Sequence, residues 1–343
     1  MFSALREKLN GDRPIATYFQ SWSSVWSSIA SSFDLTNIPS PINIVLLAFA
    51  TPSCNYIRGS YSWEGTGLDF SSDFTIVQNS ISLLRQRGVV TMLSVGGASY
   101  SFNKFNHDNI AALAEDLGVD GIDIDWEPSD GVKSAWQLGP IIEQMKLSLP
   151  ETSLLSIAAF SVGAYIDNFS DGKPMGGPYV GMSAPGLISN GHQLDFVNIM
   201  SYDASNEYDP IYAFKAYRDI YKGPLLLGFE IPPESWGGHV VTLSEVINNS
   251  KFILTDDNEN NGVFTWSYQK MGEPSTIEIL NTAKKIFDSS QSHSLPPIPQ
   301  WAPGIVYLKG TKVIYNNRIY ICNQPNMASN MNAPNILWLP STP

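Results

Sequence analysis

The sequence predicts an α/β fold, a TIM-type (β/α)8 barrel followed by a small all-β unit. Three observations carry this. Short apolar runs, eight in all, alternate with segments of helical period over roughly 270 residues, and several are continuously hydrophobic, as strands covered on both faces are. No GxGxxG or GxxxxGK[ST] turn is present, which disfavours an open doubly wound sheet, the other fold that such alternation fits. Beyond a polar, Pro-rich stretch the chain becomes short β-like pieces separated by turn residues. The expected organisation is a barrel over residues 1–288, a semi-rigid linker over 289–300 and a small module over 301–343.

In chain order the runs are Ile15–Trp22, Ile42–Ala50, Val89–Gly97, Val119–Glu127, Leu154–Phe160, Leu194–Asp203, Pro224–Pro232 and Gly262–Tyr268. The segments between them supply helices. Asp73–Arg87 places Phe74, Val77, Ile81 and Leu84 on one stripe, with Gly88 as a stop signal. Asp108–Leu117, Lys133–Leu149, Tyr212–Tyr221, Leu243–Asn249 and Ser275–Phe287 read as further helices.

Composition narrows the function classes. Among 343 residues, 43% are hydrophobic and 15% charged, enough to build a large core and too apolar for a disordered chain. Asp and Glu number 32 against 20 Lys and Arg, a net charge of −12. That balance opposes coating a phosphate backbone, so no nucleic acid partner is expected. No apolar run reaches about 18 residues, so no membrane span is expected. Cys54 and Cys322 are too few for a disulfide framework and read as free thiols. The start, MFSALREKLNGDRP, lacks the apolar core of a signal peptide. An extracellular protein is still expected, through a removed leader or another export route. The 9 Trp, 15 Tyr and 16 Phe suit a surface that grips sugars, and equally a well-packed core.

The stretch Asp120-Gly-Ile-Asp-Ile-Asp-Trp-Glu127 carries the most chemistry. Strand side chains alternate, so Asp123, Asp125 and Glu127 share one face while Ile122, Ile124 and Trp126 share the other. In a barrel the acids then climb the interior toward the C-terminal rim. Like charges this close cannot all ionise cheaply, so a proton is retained among them near neutral pH. Glu127, the outermost, is placed to act as a general acid. A solvated strand end or a metal site is the other reading of the same spacing.

This segment resembles the DxxDxDxE signature of glycoside hydrolase family 18, the chitinase family, with Asp120, Asp123, Asp125 and Glu127 in its four positions. Ser94-Val-Gly-Gly97 resembles the SxGG motif of its third strand, Met200-Ser-Tyr-Asp203 the MxYD motif of its sixth, and Trp266 the Trp that ends its eighth. The resemblance covers roughly residues 12–288. It implies retaining hydrolysis of β-1,4 bonds beside N-acetylglucosamine without a protein nucleophile, a substrate-assisted exception to the two-carboxylate scheme. It implies further that Glu127 is acid and then base, and that Asp125 orients the substrate acetamide and shares a proton with Asp123. Tyr202 then donates to the acetamide oxygen, while Met200, Asp203 and Trp266 line the sugar pocket. Tyr18 and Trp236 join the substrate-binding set. No metal and no cofactor are implied. Asp120 reads as a strand-start residue, and Ser94, Gly96 and Gly97 as packing residues. Trp22, Trp63, Trp236 and Tyr208 lie in or near loops where they could stack on further sugars. Glu230 is placed facing the interior. The short segment between the seventh and eighth strands leaves no room for a large inserted subdomain, so an open cleft and endo cleavage are expected.

In the tail, Trp301, Tyr307, Gly310, Val313, Tyr315, Tyr320 and Trp338 resemble the small chitin- and cellulose-binding modules of bacterial chitinases. Trp301, Trp338 and Tyr307 are the expected chitin contacts, with Tyr315 and Tyr320 mainly structural. The expected protein is therefore a monomeric endochitinase whose partners are chitin and chitooligosaccharides. Two alternatives stay open: an endo-β-N-acetylglucosaminidase acting on N-glycans, and a chitin-binding toxin or lectin component, against which the presence of Glu127 speaks.

Overall fold

The computed structural model describes residues 3–166, 177–204, 208–231, 239–291, 300–302, 306–307, 310–315, 318–322, 326–327 and 338–340. The chain divides into two compact units, Met1–Phe287 and Asp288–Pro343.

The first unit is a closed barrel of parallel strands in sequential order: β1 (Ile15–Gln20), β2 (Ile44–Ala50), β3 (Val90–Gly96), β4 (Gly121–Asp125), β5 (Leu154–Phe160), β6 (Phe196–Met200), β7 (Leu225–Glu230) and β8 (Gly262–Trp266). Every strand falls inside one of the apolar runs. Closure comes from β1 pairing with β8, with Ile15 opposite Val263 and Thr17 opposite Thr265. Both faces of each strand are buried, which explains the continuous hydrophobicity. Alternate residues divide between two cores. Ala16, Leu46, Met92, Leu154, Phe196 and Leu226 fill the lumen. Leu47, Val95, Ile122, Ile124, Ile157 and Val197 pack outward under the helices. Each Leu, Ile, Val, Met or Phe among them stabilises the fold by about 1.5–3 kcal/mol.

Helix α1 (Ser3–Lys8) precedes β1, and Leu5 and Leu9 enter the lumen cluster. Helices α2 (Phe74–Gln86), α3 (His107–Leu117), α4 (Leu138–Ser148), α5 (Ala184–Asn190), α6 (Pro210–Ile220), α7 (Leu243–Ile253) and α8 (Thr276–Gln291) each follow the strand of the same number. Only 3-10 turns, at Ser21–Ser23, Ala30–Ser32 and Asp34–Asn37, lie between β1 and β2. Helix α6 begins two residues before the expected Tyr212. Asp209 caps it by accepting the Ile211 amide at 2.9 Å, and Pro210 takes the first turn. Helix α8 continues through Gln291, three residues into the stretch read as linker; residues 292–299 lie outside the described residues.

Asp120 ties this framework together at the base of β4. Its Oδ1 meets Lys8 Nζ of α1 at 3.2 Å and Arg85 of α2 at 3.4 Å, and its Oδ2 accepts the Thr91 amide at 3.0 Å. Its work is to hold strands and helices together, in line with its reading as a strand-start residue.

The second unit holds a three-stranded antiparallel sheet, β10 (Lys312–Tyr315), β11 (Arg318–Cys322) and β13 (Trp338–Pro340), and a two-stranded one, β9 (Val306–Tyr307) with β12 (Asn326–Met327). Val313 and Cys322 are its buried centre, with Trp301 and Tyr320 packed against them. Neither cysteine is in a disulfide. Among the described residues, no helix is long and apolar enough to cross a membrane.

Candidate active site

Strand β4 delivers its acids as alternation requires. Asp123 is fully buried inside the barrel, Asp125 lies one step higher and nearly buried, and Glu127 stands two residues on at the rim, half-buried. Trp126 turns the other way into the outer core.

Asp123 is held by four donors. Tyr18 Oη (2.8 Å) and Ser94 Oγ (2.7 Å) donate to Oδ2, while Ser156 Oγ (2.7 Å) and Asn198 Nδ2 (3.2 Å) donate to Oδ1. Burial pushes its carboxyl above the usual range, and these hydrogen bonds pull it back. A carboxylate offers about four lone-pair sites, and here all are taken. Ser94, read as a packing residue, is also a donor to this carboxylate.

Asp125 is pushed well above the ordinary carboxylate range, first by burial, then by the charges of Glu127 and Asp123. Its Oδ1 is buried without a hydrogen-bond partner. Glu127 is raised to about 7 by burial and by Asp203, against a lowering hydrogen bond from the Ala98 amide. Tyr202 is raised far above its usual value by burial and by Asp125, Glu127, Glu230 and Asp203, so its hydroxyl stays a donor. Asp203, three residues beyond the end of β6, has φ at 49°, a left-handed conformation that Asp tolerates better than most residues.

Aromatic rings form one wall. The Trp266 ring stacks on Phe49 with centroids 5.5 Å apart, and Tyr18 meets it edge-on at 5.4 Å. Trp22 lies 6.4 Å from Trp266 and 6.0 Å from Phe49. These rings, with Met200, Tyr202, Asp203, Asp125 and Glu127, line a cavity of about 380 Å³. A second cavity of about 350 Å³ is lined by Tyr100, Phe102, Asn103, Asp130, Ser134, Gln137 and, again, Glu127. Glu127 thus borders both cavities.

Two glycines allow the approach of β3 to these groups. A Cβ on Gly96 (φ +116°) would lie 2.0 Å from the Asp125 carbonyl oxygen, and one on Gly97 (φ +89°) 2.9 Å from the Phe49 ring. Gly96→Ala is expected to destabilise the protein by more than about 2 kcal/mol; an unchanged midpoint of thermal unfolding would contradict this.

Other expected residues fall differently. Tyr18 borders the cavity with its ring, but its hydroxyl is committed to Asp123, so it positions the acid as well as lining the pocket. Trp63 is no platform: its indole N–H donates to the Ser72 carbonyl at 2.9 Å and its ring packs between Phe70 and Phe74. Tyr208 packs against the outer core. Glu230 faces the interior, as expected, and pairs with Lys270 at 3.3 Å. Trp236 lies outside the described residues. So do the side chains of Tyr307 and Trp338, whose backbones form β9 and β13. Trp301 is half-buried, edge-on to Tyr315 at 5.5 Å. Phe49 was missed because nothing in an apolar run marks the one ring that turns toward the cavity. Trp26, four residues beyond Trp22, is 67% exposed and does not line either cavity. Among the described residues, no three His, Cys, Asp or Glu side chains are disposed to hold a metal ion.

Residues 14–269 match the model of the glycosyl hydrolases family 18, and residues 300–338 that of the carbohydrate-binding module family 5/12. A Plasmodium falciparum protein named chitinase is 26% identical over 176 residues, 46% of this chain and 45% of its own length. Endochitinase 1 of Metarhizium robertsii is 28% identical over 242 residues, 61% of this chain and 52% of its own. The chain spans about half the length of these curated relatives. Among solved structures, a family 18 chitinase from Pseudoalteromonas aurantia superposes with a TM-score of 0.59 at 16% identity, covering 80% of this chain and 99% of that one. A fungal endo-β-N-acetylglucosaminidase of the family gives 0.58 at 15%, covering 80% and 96%; both likenesses concern the fold. The chain belongs to the glycosyl hydrolases family 18 and carries a family 5/12 carbohydrate-binding module at its C-terminal end.

Proposed function

We propose that this protein is an endo-acting chitinase that cleaves β-1,4 bonds between N-acetylglucosamine units with retention, using the substrate's own acetamide as nucleophile. The observation that carries the reading is Glu127, raised to about 7 and bordering two adjoining cavities directly above Asp125. Near neutrality such a carboxyl is partly protonated and can give its proton to the oxygen linking the sugars in the two cavities. No second carboxylate is needed as nucleophile. Asp125 lies buried beneath Glu127, where it can accept the acetamide N–H and offset the positive charge that grows as the acetamide oxygen attacks the anomeric carbon. The Tyr202 hydroxyl donates to that same acetamide oxygen. Trp266 supports the apolar face of the distorted ring, with Met200 and Asp203 at its edges. Glu127, now ionised, then takes a proton from the water that opens the intermediate. The short connection between β7 and β8 leaves the cleft open, which suits attack within a chain.

The C-terminal module, with Trp301, Tyr307 and Trp338 as its proposed chitin contacts, tethers the barrel to a solid substrate and raises its local concentration there. Truncation after Gln291 is expected to leave hydrolysis of a soluble N-acetylglucosamine hexamer unchanged and to slow release of soluble sugar from insoluble chitin by roughly threefold or more. Equal losses on both substrates would make the tail part of the catalytic fold. Assaying chitin oligomers beside a high-mannose glycoprotein tests the substrate class: cleavage of the oligomers is expected, and release of the glycan alone would favour an endo-β-N-acetylglucosaminidase.

A further inference from the structure

The aromatic wall of the cavity crosses the seam where the barrel closes, because Tyr18 and Trp22 come from the β1 side and Trp266 from β8. Paired residues of β1 and β8 end at Thr17 and Thr265. Beyond them the segment after β8 takes over. The Tyr268 amide donates to the Tyr18 carbonyl at 2.9 Å. The Gln269 side chain then takes both main-chain groups of Gln20: its Nε2 donates to the carbonyl at 2.9 Å, and its Oε1 accepts the amide at 3.0 Å. A side-chain amide thus serves as one more rung between β1 and the chain beyond β8. The same segment is braced on the β7 side. There the Ile231 amide donates to the Trp266 carbonyl at 3.0 Å, and Lys270 Nζ meets Glu230 Oε1 at 3.3 Å.

Gln20 is buried, so its main-chain groups need these partners and the bond to Gln269 is a fixed point of the rim. The Gln20 side chain continues the line: its Oε1 accepts the Ser23 hydroxyl at 3.0 Å. Ser23 closes the 3-10 turn that carries Trp22. The rings of the wall differ in what holds them. Trp266 ends a strand and stacks on Phe49 at 5.5 Å. Trp22 stands 49% exposed on its turn, 6.4 Å from Trp266, so the turn sets where it lies.

We propose that Gln269 is a positioning residue: through Gln20 and Ser23 it sets the place of Trp22 against Trp266, and with it the grip of the aromatic cavity on the sugar units held there. The inference deepens the proposed hydrolysis and rests on its substrate class. Its effect falls on binding. The reacting groups are placed elsewhere, Asp125 and Glu127 by β4 and Tyr202 by the segment after β6, and the Gln269 bonds touch neither element. Loosening Trp22 therefore weakens the hold on the chain and leaves acid and acetamide partners where they are. A contact made equally in ground state and transition state acts on KM and spares kcat.

The test compares wild type, Gln269→Ala, Trp22→Ala, the double variant and Ser23→Ala on a chitin hexamer, with thermal unfolding as a check on folding. In Gln269→Ala, KM is expected to rise about threefold or more while kcat stays within about twofold. Trp22→Ala should raise KM at least as far, and Gln269→Ala should add nothing in that background, because both act on one contact. Effects that multiply, or a fall in kcat at unchanged KM, would overturn the inference. Ser23→Ala breaks the exposed end of the line without touching the seam, so it serves where Gln269→Ala does not fold; its KM should rise about twofold. Circular dichroism reads the same point without turnover. The coupled-indole band of Trp22 and Trp266, identified by its loss in Trp22→Ala, should weaken in Gln269→Ala and Ser23→Ala. An unchanged band in the folded variants would overturn the inference even if wild type proved unable to hydrolyse chitin. A weakened band in a protein that does not hydrolyse chitin would instead count against the proposed function alone.

Discussion

Glu127→Gln is expected to lower kcat on chitin oligomers by roughly three orders of magnitude or more while leaving oligomer affinity within about threefold. The loss is large because one side chain serves twice, as the acid toward the leaving oxygen and as the base toward water, and each role alone is typically worth about 10²–10⁴. Affinity persists because glutamine keeps the size of the side chain and the aromatic wall of Trp266, Phe49 and Trp22 is untouched. Near-wild-type turnover would remove Glu127 from the acid role. The same variant has a consequence for stability. The folded-state value of Glu127, about 7, lies above its ordinary 4.5. The folded protein thus holds this proton more tightly than the unfolded chain does. That contribution is complete below about pH 4.5 and is lost as pH rises through about 7. Above that range the buried carboxylate opposes folding by about 1–3 kcal/mol, and glutamine does not. Glu127→Gln should therefore unfold at a higher temperature than wild type at pH 8, with the difference closing toward pH 4.5. A constant difference across that range would mean that Glu127 is not perturbed by its surroundings.

Asp125→Asn is expected to lower kcat by roughly 10²–10³, the usual effect of removing one preorganised electrostatic partner of a transition state. Asparagine can still accept a hydrogen bond from the acetamide but cannot offset the charge that forms when its oxygen attacks. Wild-type kcat on the hexamer would exclude Asp125 from charge stabilisation, because burial keeps bulk water from replacing it.

The fold was legible in the sequence where one physical cause acts alone. Strands buried on both faces write continuous apolar runs, and β5 was delimited to the residue at Leu154–Phe160. Amphipathic helices such as α2 were equally plain. The seven-residue α5 escaped because so short a segment shows no full period. The start of α6 was misplaced because the signal lay in Asp209 and Pro210, a cap and a first-turn proline, and not in the apolar pattern.

The site was legible for the same reason in part. Alternation along β4 is local, so three acids on one face could be read from spacing alone. What surrounds Asp123 is not local. Its partners come from four other strands, β1, β3, β5 and β6, and only closure of the barrel brings them together. Ser156 sits in a strand where a small residue passes for packing, and its hydrogen bond has no sequence signature. Loop aromatics were the least legible. Trp22 reached the cavity and Trp63 became core, a difference made by the backbone carbonyl of Ser72 and two neighbouring phenylalanines.

Anomer-resolved NMR during the first minutes of chitin-hexamer cleavage is the most direct measurement. With Glu127 as the acid and the acetamide as the nucleophile, the new reducing ends should appear as the β-anomer and equilibrate only later. Initial α-anomer would mean direct attack by water from the opposite face, and the reading of stacked acids as a proton store for an internal nucleophile would fail.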